Sequence, residues 1–121
     1  MSKNLIFTTS TELIRLPADA IVYIAADGSY STVRTVDGSE YVLTMQLGQM
    51  EKRIAQMVAN DDLRFIRIGK SLIVNREYIA YINPVRQKIV LSDARNFKSE
   101  LSASKEALRA LKLLIEKEDM L

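Results

Sequence analysis

The run FIRIGKSLIVNREYIAYI, from Phe65 to Ile82, has the apolar content of a buried strand, yet Arg67, Lys70, Ser71, Asn75 and Arg76 interrupt it. Cations and hydrogen-bond donors set into a core-forming run are suited to holding an anion. At Gly69-Lys70-Ser71 the apolar pattern breaks and then resumes. A glycine at such a break lets the backbone turn sharply or come close to a ligand. Lys70 can reach a phosphate or the acceptor edge of a guanine. Ser71 offers a hydroxyl and a backbone N–H, both common phosphate donors. The triplet is not a P-loop, because the first glycine of that pattern is missing. Taken alone, it is better explained as a solvated loop.

A second cluster lies near the C-terminus, where Ser102, Ser104 and Lys105 precede or open a helical segment. Free N–H groups, hydroxyls and an ammonium at one helix start can hold an anion. A lysine there opposes the helix dipole at a cost of roughly a few tenths of a kcal/mol, which Glu106 partly offsets. In Asn75-Arg76-Glu77, the asparagine reads as structural, since it tolerates left-handed backbone and bonds nearby amides. Arg76 can touch a phosphate or pair with an acid such as Glu77. Tyr30 and Ser31 follow the Asp27-Gly28 turn; a tyrosine there either contacts a base or caps a core. Asp61-Asp62 is better explained by helix termination than by acid–base chemistry.

Composition narrows the classes. The 121 residues suit one domain, 1–121, with a core that needs no staple. There is no histidine and no cysteine, so the usual general base, thiol nucleophile and transition-metal ligands are all missing. The expectation is a binding protein without a cofactor, not an enzyme. The lack of cysteine fits a cytoplasmic setting, and no apolar run is long enough to cross a bilayer. Charge is uneven. Residues 64–112 carry eleven basic and four acidic side chains, a local +7, which leaves −5 on the rest of a chain whose total is +2. A basic half points to an anionic partner or to a Lys-rich solvated surface.

The elements that must position these groups are mainly β. Strands are expected at Asn4–Thr8, Glu12–Leu16, Ile21–Ala25, Ser31–Val36 and Glu40–Thr44, with Asp37-Gly38 marking a two-residue hairpin turn. Leu47, Met50, Ile54, Met57 and Val58 recur at helical spacing and predict an amphipathic helix over about 47–59. Strands resume at Phe65–Ile68, Leu72–Val74, Tyr78–Asn83, Lys88–Leu91 and Asn96–Leu101. Ser102 or Ser104 caps a final helix that fades near Glu118.

Taken in order, these stretches resemble the LytTR family of bacterial DNA-binding domains, over about Leu16 to Leu111. The resemblance rests on IVYIAADGSYSTVRTVDG, the helix LGQMEKRI, the run FIRIGKSLIVNREYI and Ser104-Lys105 before a short helix. It implies short antiparallel sheets with a mid-chain helix and a C-terminal helix. It also implies three loops entering successive major grooves of double-stranded DNA, rather than a recognition helix. On that pattern the first loop contact falls on Tyr30, the second on Lys70 with Ser71 on phosphate, and the third on Lys105 beside Ser104. Arg67 and Arg76 join the set of DNA-facing cations; Arg67 and Asn75 also match positions with a structural role. Gly69 stands where the family often has histidine, and Lys105 where it often has arginine. Lysine cannot make the planar bidentate contact that arginine makes with guanine.

The resemblance implies a sequence-specific transcriptional regulator of the response-regulator type. Binding as a homodimer on paired sites is common in the family. LytTR domains usually follow a receiver domain; with about fifteen residues before the matched region, Met1 favours a stand-alone member over a fragment. The alternative is a protein-interaction module acting on another regulator with weak or no DNA binding, docking through Leu108, Leu111, Leu114 and Ile115.

Overall fold

The computed structural model of the chain describes residues 3–119. Ten strands and two helices follow in the order β1 (Asn4–Thr8), β2 (Leu13–Pro17), β3 (Ile21–Asp27), β4 (Tyr30–Thr35), β5 (Glu40–Leu43), α1 (Leu47–Met57), β6 (Phe65–Ile68), β7 (Leu72–Asn75), β8 (Ile79–Asn83), β9 (Lys88–Ser92), β10 (Lys98–Ser102) and α2 (Lys105–Asp119). All pairings are antiparallel. They form a β1-β2 ribbon, a five-stranded sheet in the order β5-β4-β3-β7-β6, and a three-stranded sheet in the order β10-β9-β8. The architecture is the mainly β one expected from the sequence.

The five-stranded sheet is buried on both faces, which explains why its central strands read as continuous apolar runs. Alternate residues of β7 serve different cores. Ile73 packs with Leu5, Phe7, Ile24, Val33, Leu43, Met50 and Ile54, beneath the β1-β2 ribbon and α1. Leu72 and Val74 pack on the other face with Ile68, Ile89, Leu91, Leu108 and Leu111, beneath β9 and α2. In β3 the register shifts between Ile21 and Tyr23. This bulge lets Val22 and the neighbouring Tyr23 both contribute to the α2 side. Leu108 and Leu111 are therefore used by the chain's own core, with Ile115 partly buried against it. Of the four expected docking residues, Leu114 is the one left exposed, at 37%.

A buried polar residue explains one interruption of the apolar run. Asn75 is fully buried: its Nδ2 donates to the Ile21 carbonyl at 3.0 Å and its Oδ1 accepts from the Glu77 amide at 3.1 Å. It ties β7 to β3 and caps a 3-10 turn over Arg76–Tyr78. Tyr78, expected in a strand, thus stands in that turn, with its ring edge-on to Phe97 at 5.2 Å between centroids. Between β4 and β5 the link is four residues, 36–39, longer than a two-residue hairpin turn. The Asp37 carboxylate holds it, accepting from the Ser39 amide at 3.1 Å and from the Thr35 hydroxyl.

Candidate nucleic-acid interface

The antiparallel order of the five-stranded sheet gathers several loops at one end. β3 lies between β4 and β7, so the end of β3 meets the starts of both neighbours: Asp27 is opposite Tyr30 and Ala25 is opposite Leu72. The Ala26 amide then donates to the Ser71 carbonyl at 2.8 Å, which ties the β6–β7 turn to the β3–β4 turn. These turns carry Tyr30 on one side and Lys70-Ser71 on the other.

The β6–β7 turn is built by glycine and arginine together. Gly69 has φ +58°, a backbone that side-chain-bearing residues adopt with difficulty. Arg67 braces the turn from the preceding strand. Its Nε donates to the Gly69 carbonyl at 3.0 Å, one terminal nitrogen donates to the Lys70 carbonyl at 3.3 Å, and the other pairs with Glu51 of α1 at 2.9 Å. Each of its three guanidinium nitrogens is thereby engaged within the protein. Lys70 and Ser71 at the tip are exposed, and the Lys70 ammonium takes no ion pair among the described residues.

The third component arrives with α2. A Cβ at Gly69 would stand 4.0 Å from the Ala107 methyl, so the first turn of α2 lies against the β6–β7 turn. Ser104, not Ser102, caps this helix: the Ala107 amide donates to Ser104 Oγ at 3.1 Å and the Leu108 amide to the Ser104 carbonyl at 3.0 Å. Ser102 instead ends β10, opposite Lys88. The cap leaves the amides of Lys105 and Glu106 without intrahelical acceptors. Ser104→Ala should lower stability by about 1 kcal/mol, measurable as a shifted urea midpoint at unchanged m-value.

Tyr30 at the start of β4, Lys70 and Ser71 in the β6–β7 turn, and Ser104 and Lys105 at the start of α2 are thus grouped at one end of the molecule. Tyr30 is 48% exposed, so it does not cap a core. Its neighbour Ser31 is fully buried and donates to the Met45 carbonyl at 2.6 Å, which joins the β3–β4 hairpin to the segment entering α1. Arg76 lies elsewhere. The four-residue β7 separates it from Lys70 by roughly 13 Å of extended chain, and its guanidinium pairs with Glu118 of α2. Asp62 accepts from the Arg64 amide at 3.0 Å, a turn-forming role. Among the described residues no group of three or more acids gathers as a metal site.

Asp93, which the sequence places in the β9–β10 turn, holds that turn with its carboxylate, a role the sequence does not reveal. Its Oδ1 accepts from the amides of Arg95, Asn96 and Phe97 at 2.9, 2.7 and 3.2 Å. These amides, led by Arg95 and Asn96, stabilise the carboxylate and lower its pKa to about 2. The folded value lies below that of the unfolded chain. Its contribution to stability is therefore present above the ordinary aspartate range and is lost as pH falls through about 2. A carboxyl-detected NMR titration should give Asp93 a midpoint near that value, and Asp93→Asn should remove the step.

The fold and this cluster define a small β-rich domain that presents cations and hydrogen-bond donors from a turn and a helix start at one end. A family model for the LytTr DNA-binding domain matches residues 11–116, and the chain belongs to this LytTR family of DNA-binding regulators. A solved LytTr DNA-binding domain from Bacillus cereus has the same fold, with a TM-score of 0.61 at 21% identity, over 95% of this chain and 97% of that one. No curated protein matches the chain. No helix among the described residues is long and apolar enough to cross a membrane.

Proposed function

We propose that the chain is a sequence-specific DNA-binding transcriptional regulator that reads successive major grooves through the β3–β4 turn, the β6–β7 turn and the start of α2. The observation that carries this is the gathering of Tyr30, Lys70 and Lys105 at one end. Lys70 is exposed and Lys105 partly so, neither ammonium takes an ion pair among the described residues, and both stand beside turns held by the protein's own hydrogen bonds. In this reading Lys70 and Lys105 meet base edges in two grooves, and Tyr30 contacts a base or thymine methyl. Ser71 and the capped start of α2 hold phosphates. Arg67 acts through the turn it braces, and Arg76 holds the far end of α2.

Family membership supports DNA as the partner. Burial of Leu108 and Leu111 weighs against a protein-docking role for that helix face. The test is selection of bound duplexes from a random library, followed by salt titration of the enriched site. A recovered motif whose affinity falls steeply with salt supports the reading. A folded protein that enriches no motif overturns it.

A further inference from the structure

We propose that the β8–β9 turn, residues 84–87, is a fourth DNA contact, with Arg86 on a backbone phosphate beside the groove that Lys105 enters. This inference rests on the DNA-binding reading above and extends its footprint.

The turn is carried to the interface end by β-pairing. Ser102, where β10 ends, is opposite Lys88, where β9 begins. The chain passes from there directly into Ser104 and α2. The Ala103 amide donates to the Gln87 carbonyl at 3.3 Å, so the turn is joined to the segment that delivers Lys105. Side-chain direction agrees. Successive helical residues are about 100° apart, so Lys105 lies about 160° around α2 from Ala107. Ala107 meets the β6–β7 turn. Lys105 is therefore on the flank away from that turn, and α2 also packs on β8, the strand leading into the β8–β9 turn.

The turn is also preformed. Asn83 Oδ1 accepts from the Arg86 amide at 3.1 Å and its Nδ2 donates to the Tyr81 hydroxyl at 2.9 Å. The Gln87 amide donates to the Pro84 carbonyl at 3.1 Å, and Gln87 holds φ +55°. At its tip Val85 is 78% exposed and Arg86 is exposed. Arg86 takes no side-chain partner among the described residues, whereas Lys88, two residues on, is paired with Glu100 at 3.5 Å. A cation held ready on a rigid turn and left unneutralised matches a phosphate contact; a tied one does not.

The experiment measures affinity for the selected duplex across a salt series. Arg86→Ala should make the log–log salt slope shallower by about 1 and weaken binding about fivefold near 150 mM salt, equally for site variants. Arg86→Lys should restore the slope, since a phosphate needs only the point charge. Arg95→Ala and Lys98→Ala, at the opposite end of the three-stranded sheet, should leave the slope unchanged. Wild-type-like slope and affinity in Arg86→Ala, with DNA binding by the parent intact, overturns this contact and leaves the three-loop reading standing. A parent protein that selects no duplex overturns both.

Discussion

Lys70→Ala and Lys105→Ala should each cost about 1–3 kcal/mol of binding to the selected duplex and should relax preference at different base positions. Lys70 sits in the β6–β7 turn and Lys105 in the first turn of α2, and each ammonium takes no ion pair among the described residues. Their removal therefore breaks no internal pair, and the loss falls on the complex rather than on the fold. If they enter different grooves, the double variant should lose close to the sum of the two effects. Conversion of Lys105 to arginine is expected to sharpen discrimination for guanine, because the guanidinium supplies two parallel donors where lysine supplies a point charge. Affinities are measured by fluorescence anisotropy on the parent site and on single-position variants. A folded double variant with parental affinity would sink the assignment of both residues.

Asn75→Ala should destabilise the protein by about 2–4 kcal/mol, because it leaves the Ile21 carbonyl and the Glu77 amide without their partner near the core. That is a large share of the roughly 5–15 kcal/mol typical of a domain. By contrast, Arg76→Ala, one residue away, removes a pair with the part-exposed Glu118 and the packing of a side chain only 16% exposed, and should cost about 1–2 kcal/mol. Urea denaturation separates the two. The DNA affinity of the fraction of Asn75→Ala that remains folded should be close to that of the parent. A loss of affinity without loss of stability would instead place Asn75 on the DNA.

Much of the architecture was legible because local signals and core demands agree. β-branched runs, Asp-Gly turns and the Leu47–Ile54 spacing located strands and α1 to within a few residues. Ser102 and Ser104 were both legible as caps; the Ala107 hydrogen bond and the pairing of Ser102 with Lys88 assign the role to Ser104. Four things were not legible in local pattern, each for a physical reason. The grouping of Tyr30 with Lys70, which the family resemblance alone implied, depends on β3–β7 pairing between residues some fifty apart in sequence, such as Ala25 and Leu72; no local pattern encodes that register. Arg67 and Lys70 look alike in sequence, yet one is held by two carbonyls and Glu51 while the other is left in solvent. Arg76 follows the same apolar run, but a four-residue extended strand carries it to the far end of the sheet. The β8–β9 turn carries a lone Arg86, and its place beside α2 follows from the Ser102–Lys88 pairing and the Gln87–Ala103 hydrogen bond, which join residues distant in sequence.

The most direct test of the central claim is which end of the molecule meets DNA. Amide chemical-shift changes, followed as the selected duplex is added to labelled protein, map that surface residue by residue. The account predicts changes concentrated at residues 28–31, 69–71 and 104–106, with the β9–β10 turn around Asp93 unmoved. Changes centred on the β9–β10 turn or the β1-β2 ribbon, with Lys70 and Lys105 silent, would contradict it.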